Sequence, residues 1–319
     1  MPLRFDRETI QREENIMNWK SKVIIQFLLS HLPKGEQINY LLQNLITKSH
    51  SPEMIGHRIP ILVQKLQLIN NYKKLEGISV CEIGTGWDAI SALLFYLMGA
   101  KIIYTCDHIP HVRYKLVKEV INQIGNRIGE IHSITLIPRS VLVNRIKKLK
   151  CVTNSKMMFK RANIIYKSPG DATRIELSDN SIDLVFSYAV LEHVSENIIY
   201  SLMIETKRIL RKNGIVYHAI GLGDHYAGFD KSINKVNFLR YPEWLWSFFI
   251  KNKISYHNRL REKEFINIFE LHGAKIEMLN NKIDPGDIET LKTMKIDKRF
   301  SGMTREELAV NYSEIILSF

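Results

Sequence analysis

A glycine-containing turn after a short apolar run is the first feature of this chain that could support chemistry. The segment ISVCEIGTGWDAI, residues 78–90, carries Glu82, Gly84 and Gly86 just before the start of an amphipathic helix. Glycines at such a turn bring backbone N–H groups close to a ligand, and they tolerate the positive φ of tight turns. This order of apolar strand, small-residue turn and helix predicts a site for a nucleotide-like ligand.

Three further apolar runs end close to polar residues that would meet the same ligand. Asp107 follows the second run, where a carboxylate can accept hydrogen bonds from both vicinal hydroxyls of a ribose. Asp171 and Ala172 follow the third run, and a carboxylate there can accept from the exocyclic amine of adenine. The fourth run ends in Ser187 and Tyr188, which we expect beside the reactive end of the ligand.

Two histidines follow the fourth and fifth apolar runs and are candidates for proton removal. His225 lies just after the fifth run, and we expect it to be a general base with Asp224 as its orienting group. His193 lies in the segment LEHV after the fourth run, where it either fixes the loop or assists catalysis. His218 falls within the fifth run and is expected to be a core residue.

The elements that must position these residues alternate between strands and helices from about residue 77 onward. Strands are predicted at 78–83, 101–106, 163–166, 182–187, 214–220, 274–279 and 307–319. Helices are predicted at about 88–98, 110–124, 196–211 and 263–271. This alternation predicts an α/β, Rossmann-like, doubly wound sheet of seven mostly parallel strands.

The rest of the chain gives the predicted domain organisation. Residues 1–76 are expected to form a helical N-terminal extension or lid, because apolar residues recur there at helical spacing. Residues 77–319 would form the main domain, with an insertion at about 125–162 that contains one helix. The segment at about 222–262 has no clear period and is expected to be a functional loop.

Composition narrows the possible partners and location. The 319 residues carry a formal net charge of +12, which favours anionic partners such as nucleic acid, phosphorylated metabolites or anionic membrane surfaces. Cys81, Cys106 and Cys151 give neither a disulfide framework nor a zinc spacing, as is typical of the reducing cytoplasm. No secretory signal or membrane-spanning run is visible, so we expect a cytoplasmic protein without a transmembrane segment.

Four motifs in order resemble those of class I S-adenosylmethionine-dependent methyltransferases. They are VCEIGTGWD, YTCD, GDATRIELSDNSIDLVFSYAVLEHV and RILRKNGIVYHAI, and they cover about residues 77–222. The chain is most similar to the broad group with an LEHV segment after strand four, which acts mostly on small molecules, sugars, lipids and quinone-like compounds. The resemblance implies S-adenosylmethionine as cofactor and makes the segment at 222–262 an acceptor loop.

The resemblance also implies a role for each matching residue. The implied cofactor contacts are Glu82, Gly84 and Gly86 along the methionine part, Asp107 at the ribose, His108 near the adenine, Asp171 and Ala172 at the adenine edge, and Ser187 and Tyr188 at the sulfonium. Asp88 departs from the pattern, because many members have a third glycine there. A carboxylate at this turn also argues against a nicotinamide dinucleotide, whose pyrophosphate would lie beside it.

The sequence therefore favours methyl transfer to a small polar acceptor, by O-methylation of a sugar, a glycan precursor or an acidic metabolite. Charge alone favours the alternative of an RNA or other nucleic-acid methyltransferase, and the segment SYAV at 187–190 lacks the motifs of the base-methylating enzymes. A non-catalytic cofactor-binding homologue is the third possibility. No metal site is assigned, because Asp107-His108 and Asp224-His225 come from different loops.

Overall fold

A seven-stranded sheet organises the part of the chain that the structure, a computed structural model, describes: residues 18–48 and 50–319. The strands are β1 Ser79–Ile83, β2 Ile102–Cys106, β3 Ile164–Lys167, β4 Ile182–Tyr188, β5 Leu210–Gly221, β6 Lys275–Ile283 and β7 Val310–Ser318. Their order is β3-β2-β1-β4-β5-β7-β6. The first five strands run parallel, and β7 pairs antiparallel with both β5 and β6. The predicted doubly wound, mostly parallel sheet is confirmed.

Helices cover both faces of the sheet and extend beyond its last parallel strand. They are α1 Trp19–Ser30, α2 Gly35–Thr47, α3 Pro52–Tyr72, α4 Ile90–Met98, α5 Tyr114–Asn126, α6 Ile128–Thr135, α7 Arg139–Lys150, α8 Ser155–Arg161, α9 Glu196–Ile209, α10 Glu243–Phe249, α11 Glu262–Leu271, α12 Pro285–Thr293 and α13 Arg305–Ala309. Short 3-10 helices lie at Leu191–His193, His225–Gly228, Asn237–Arg240 and Lys298–Phe300. Residues 1–17 of the predicted helical N-terminal extension lie outside the described residues.

One face of the sheet is buried under α3, α4, α5 and α7, and the other under α9 and α11. The helix α5 shows why its sequence folds this way: Leu116, Val117, Val120, Ile121 and Ile124 lie on one side of it and are all buried. Strand β1 is buried along nearly its whole length, as expected for a strand covered on both faces. These two layers hold the parallel strands in register.

The helix α3 belongs to the core of the sheet domain, although the sequence placed it in the N-terminal extension. Its buried residues form one cluster with β1, α4 and α5; they are Ile55, Ile59, Leu62, Val63, Leu66 and Ile69. The insertion at 125–162 also differs from the prediction of one helix, because three helices (α6, α7 and α8) start within it. Helices α6 and α8 have only 8 and 7 residues, so each offers about two turns of periodic pattern in the sequence.

A third, smaller core joins α1 to the segment at 222–262. Val23 of α1 is buried with Tyr226, Phe238 and Trp246. The backbone N–H of Trp19 donates to the Asp230 carboxylate at 2.9 Å, and the Tyr226 hydroxyl donates to the Gln26 side-chain oxygen at 2.9 Å. The segment predicted as an irregular functional loop is therefore held in place by α1, and it contains the helix α10.

The parallel strands end at one edge of the sheet, where all the predicted site residues lie close to a strand end. Strand β1 is the point at which the chain reverses its direction across the sheet: β2 and β3 lie on one side of it, β4 and β5 on the other. Ligands of such sheets bind outside the carboxyl ends of the strands at this reversal point. The predicted nucleoside contacts and the predicted histidines lie on opposite sides of it.

Candidate functional site

The turn after β1 has the backbone conformation that its glycines permit. Gly84 has φ +87°, and a Cβ there would lie 2.4 Å from a methyl group of Val190, the residue that follows β4 by two positions. Gly86 has φ +68°, and a Cβ there would meet nothing within 4 Å. A side chain at Gly84 would collide with the loop after β4, whereas the space beside Gly86 is open for a ligand.

Asp107 lies directly beside this turn. Its carboxylate accepts a hydrogen bond from the Gly86 N–H at 3.2 Å. The ring nitrogens of His108 and His111 lie 3.5 Å and 3.8 Å from its two oxygens. Burial opposes ionisation, but the hydrogen bond and charge of His111, the Gly86 N–H and His108 outweigh it and lower the pKa of Asp107. Asp107 is therefore ionised at neutral pH and able to accept from two hydroxyl groups.

Glu82 occupies a different environment at the end of β1. Its carboxyl is buried between β1 and β2, and it accepts a hydrogen bond from the Thr105 hydroxyl at 2.6 Å. Burial raises the pKa of Glu82 to about 8, against the effect of its hydrogen bonds with Thr105 and Ser91. At neutral pH this carboxyl is protonated, so it can donate a hydrogen bond as well as accept one.

Asp88, the departure from the family pattern, has two partners. One oxygen accepts from the Ile90 N–H at 3.2 Å, at the start of α4. The other forms an ion pair with Arg58 of α3. The charge that would repel a pyrophosphate is thus paired, and Asp88 links the turn after β1 to α3.

A backbone hydrogen bond holds the loop that carries Asp171 and Ala172 beside Asp107. The Gly170 N–H donates to the Asp107 carbonyl oxygen at 2.9 Å, which brings the loop after β3 against the end of β2. Asp171 is exposed, and one of its oxygens accepts from the N–H and hydroxyl of Thr173, which lower its pKa. Ala172 is half-buried against the core on the α9 face. Together with Asp107 they form one side of the predicted ligand edge.

Ser187 and Tyr188 end β4, and their side chains differ in burial. The Ser187 hydroxyl is fully buried and forms a hydrogen bond of 2.8 Å with His218 Nδ1. Burial lowers the pKa of His218 to about 3, so its ring is neutral and it is the core residue that was predicted. Tyr188 is half-buried, with the Lys65 ammonium 5.7 Å from its ring centre. At Ser187 only the backbone remains for a ligand.

His193 and His225 meet at the carboxyl ends of β4 and β5. Their rings stack with centroids 5.0 Å apart and planes 18° apart, and His225 also contacts the buried ring of His257 at 4.6 Å. Glu192 is buried beneath them, and its Oε1 accepts from the Gly221 N–H at 3.0 Å. One ligand atom from each of Glu192, His193 and His225 lies within 4.8 Å of the other two. We refer to these three residues as the Glu–His–His cluster.

Asp224, the predicted orienting group of His225, makes two hydrogen bonds within the segment at 222–262. Its Oδ1 accepts from the Tyr226 N–H at 2.8 Å and caps the 3-10 helix that begins at His225. Its Oδ2 accepts from the Asn237 amide at 3.1 Å. These contacts give Asp224 a structural role in the segment at 222–262, and its orienting role toward His225 stays a prediction.

Sequence reasoning missed three parts of the site. The Trp87 ring stacks between Tyr40 of α2 (4.2 Å) and His111 (4.5 Å), which places α2 over the turn after β1. Glu192 and His257 were not singled out either. Glu192 directly precedes His193, and His111 is four residues from Asp107, so their spacing was visible in the sequence. The contacts of Tyr40 and His257 depend on tertiary structure.

A family model matches the middle of the chain. Residues 135–218 match a family model described as a methyltransferase domain. Among curated proteins, none matches this chain. No helix of the described residues has both the length and the apolar character needed to cross a membrane.

Several solved structures are similar to this chain. One is an S-adenosylmethionine-dependent methyltransferase from Mesorhizobium loti, with 12% identity, a TM-score of 0.44, and coverage of 80% of this chain and 97% of that one. A SAM-dependent methyltransferase from Methanosarcina mazei has 17% identity, a TM-score of 0.44, and coverage of 78% and 95%. A methyltransferase from Haloferax volcanii in complex with the Trm112 activator has 12% identity, a TM-score of 0.42, and coverage of 92% and 96%.

The family-model match lies within the sheet domain, from the insertion through β3, β4 and α9 to His218 in β5. The ordered motifs precede and overlap it, from the turn after β1 onward. This match identifies a methyltransferase domain in the chain, and the ordered motifs and the doubly wound sheet support an enzyme whose cofactor is S-adenosylmethionine.

Proposed function

We propose that this enzyme transfers a methyl group to a hydroxyl oxygen of a small polar acceptor, such as a sugar, a glycan precursor or an acidic metabolite. The observation that carries this proposal is the Glu–His–His cluster at the ends of β4 and β5. It supplies imidazole and carboxyl groups on the side of the reversal point where an acceptor would face the cofactor. Methylation of a hydroxyl needs such groups, because the oxygen must lose its proton.

The cofactor contacts in this proposal follow the geometry at the ends of the first four strands. Asp107 would bind the ribose, and His108, Asp171 and Ala172 would flank the adenine. The methionine part would lie along Glu82, Gly84 and Gly86, with Ser187 and Tyr188 near the sulfonium. Two observations support this fit: the open space beside Gly86 and the ionised carboxylate of Asp107. When bound, S-adenosylmethionine supplies a methyl group on a good leaving group.

The chain's own residues then have to align the acceptor and assist the loss of its proton. The acceptor oxygen would attack the methyl carbon, the carbon–sulfur bond would break with its electron pair remaining on sulfur, and the hydroxyl proton would leave. Alignment alone contributes several kcal/mol to such a displacement. His193 and His225 would assist the proton's departure. His193 is the exposed member of the pair and so has access to solvent.

The acceptor would be covered by α1 and the segment at 222–262, and the cofactor by α2. The small core that joins α1 to this segment supports the cover over the acceptor. The Tyr40–Trp87 stack supports the position of α2 over the cofactor. We propose α1 and α2 as the lid, with the main domain starting at α3. The net charge of +12 favours an acidic or phosphorylated acceptor.

The test is to incubate cell extracts with the enzyme and S-adenosylmethionine carrying a deuterated methyl group, and to follow the label by mass spectrometry. We expect the label in a small polar compound, linked through oxygen, and no label with the Asp107→Asn variant. Asp284→Asn, a change at an exposed cap of α12, is the matched control and should label normally. Label confined to the RNA fraction would refute a small acceptor and support the nucleic-acid alternative.

A further inference from the structure

Glu192 is a buried carboxyl with half of its hydrogen-bonding capacity unused. The residue is 3% exposed. Its Oε1 accepts from the Gly221 N–H, but its Oε2 has no hydrogen-bond partner among the described residues. Burying an unpartnered carboxyl oxygen costs free energy unless something compensates it. No lysine or arginine of the described ranges forms an ion pair with Glu192, so a cation would supply what the protein does not.

His193 is held in the tautomer that a metal ligand needs. Its Nδ1 lies 2.9 Å from the Tyr256 carbonyl oxygen. A carbonyl oxygen can only accept, so Nδ1 carries the proton and Nε2 of the neutral ring has a free lone pair. Histidines that bind metals commonly donate their second ring N–H to a backbone carbonyl in this way.

His225 completes the set from the end of the neighbouring strand β5. A Cβ built on Gly221 would lie 2.8 Å from Glu192 Oε1 and 3.7 Å from His225 Nε2, so both atoms lie beside Gly221 at the end of β5. His257 packs edge-on against the His225 ring and limits its rotation. The three ligand atoms come from two fixed strand ends, with His193 at the solvent side.

The spacing of these atoms is close to that of a metal site. Ligand atoms about 2.1 Å from a tetrahedral ion lie about 3.4 Å from each other. The present atoms lie within 4.8 Å of one another. An ion would have to draw these atoms together by up to about 1.4 Å to reach that spacing.

We propose that Glu192, His193 and His225 bind one divalent transition-metal ion of the Zn²⁺ class, with an open coordination position that faces the acceptor. Two imidazoles and one carboxylate suit zinc and its neighbours, whereas Mg²⁺ and Ca²⁺ prefer oxygen ligands. Three protein ligands leave a position for an oxygen of water or substrate. The catalytic use of the ion depends on the function proposed above, but its binding does not.

In catalysis the ion would make the acceptor hydroxyl more acidic. The hydroxyl oxygen would take the open position, and its proton would leave to solvent past His193. The oxygen would then form its bond to the methyl carbon while the carbon–sulfur bond breaks and sulfur keeps the electron pair. His193 and His225 would thus assist proton loss as ligands of the ion.

Binding can be measured without any acceptor. The protein, stripped with a chelator and dialysed, is titrated with Co²⁺ as a coloured substitute for Zn²⁺, and Zn²⁺ is then added as a competitor. We expect one ion per chain, visible absorption that Zn²⁺ abolishes, and at least tenfold weaker binding in His193→Gln and His225→Gln. His57→Gln, a change at an exposed histidine of α3, should bind as the parent does. No Co²⁺ absorption, or equal binding by all four proteins, would refute the site.

Activity separates this proposal from the proposed function. With an acceptor found by the labelling experiment, we expect the stripped enzyme to lose methyl transfer and Zn²⁺ to restore it. Undiminished transfer by the stripped enzyme would refute the catalytic ion while leaving O-methylation intact. If no labelled compound is found, the Co²⁺ titration still decides whether the site exists.

Discussion

Two carboxyl groups on neighbouring strands have opposite protonation states at neutral pH. Glu82 lies in β1, and Asp107 directly follows β2. The Glu82 carboxyl is buried with the Thr105 hydroxyl as its partner, whereas the Asp107 carboxylate faces the Gly86 N–H and two imidazoles. The pKa of Glu82 rises to about 8, whereas that of Asp107 is lowered. One carboxyl can therefore donate to a ligand while the other accepts. Sequence alone predicts both acids but not this difference, because the partners come from other elements.

Asp224 provides a prediction about pH at the same scale. Burial raises its pKa to about 6, against the hydrogen bonds from Asn237 and the backbone. The folded protein thus holds this proton more tightly than the unfolded chain does. The stabilisation that protonated Asp224 gives is fully present below the usual carboxyl pKa of about 4. It is lost as the pH rises through 6, and the total loss in the free energy of unfolding is about 3 kcal/mol.

Asp224→Asn should remove this dependence, because the amide keeps an oxygen for the Tyr226 N–H and carries no charge. Urea unfolding of both proteins at pH 4.5 and pH 7 tests it. Relative to the parent, the variant should gain about 2 kcal/mol in its free energy of unfolding between these two pH values. Parallel pH profiles for the two proteins would show that Asp224 does not titrate in this range.

At the scale of elements, the segment at 222–262 is the part of the fold that sequence reasoning described least well. It contains α10 and two 3-10 helices, but its aromatic residues are buried against α1 rather than along one helical face. A local period cannot reveal a core that forms between distant segments. The strand–helix alternation from β1 to β5 was predicted because each of those elements buries its own face on the sheet.

The first residues of strands and helices are also poorly predicted from the local sequence period. Strand β5 begins at Leu210, four residues before the predicted start at Gly214, because α9 passes directly into it. Helix α4 begins at Ile90 rather than near Asp88, whose side chain accepts a hydrogen bond from the Ile90 N–H. In both cases a hydrogen bond or a pairing partner sets the end of the element, and neither is encoded in periodicity.

The contact between α1 and the segment at 222–262 predicts what loss of the Tyr226 hydroxyl will do. Tyr226→Phe removes the hydroxyl that donates to Gln26, a buried contact worth about 1 kcal/mol. We expect faster amide hydrogen exchange in α1 and in residues 222–262, and unchanged exchange in α3. Tyr200→Phe, on α9 beside His272, is the control and should leave α1 unaffected. Uniform exchange in all helices of both variants would contradict separate docking of α1.

At the scale of the whole molecule, Arg261 joins segments that are distant in the chain. Its guanidinium is fully buried and donates to the carbonyl oxygens of Leu222, Leu308 and Val310. These carbonyls lie at the end of β5, at α13 and at the start of β7. Burial lowers the pKa of Arg261 to about 10, so it remains charged at neutral pH.

Arg261→Met should lower the free energy of unfolding by about 3 to 5 kcal/mol, because it leaves three buried carbonyls without donors. Lys263→Met on the same helix removes only an exposed ion pair with Glu307 and should cost less than about 1 kcal/mol. Urea unfolding followed by circular dichroism measures both. Similar small effects for the two variants would mean that solvent reaches these carbonyls.

The position of β7 has a consequence for how the protein is made. This strand is the last in chain order, yet it lies inside the sheet, bonded to β5 on one side and β6 on the other. During synthesis β5 leaves the ribosome almost a hundred residues before its neighbour, and its apolar edge stays open in the meantime. Slow translation of the stretch between them would prolong this exposure and favour pairing with other nascent chains.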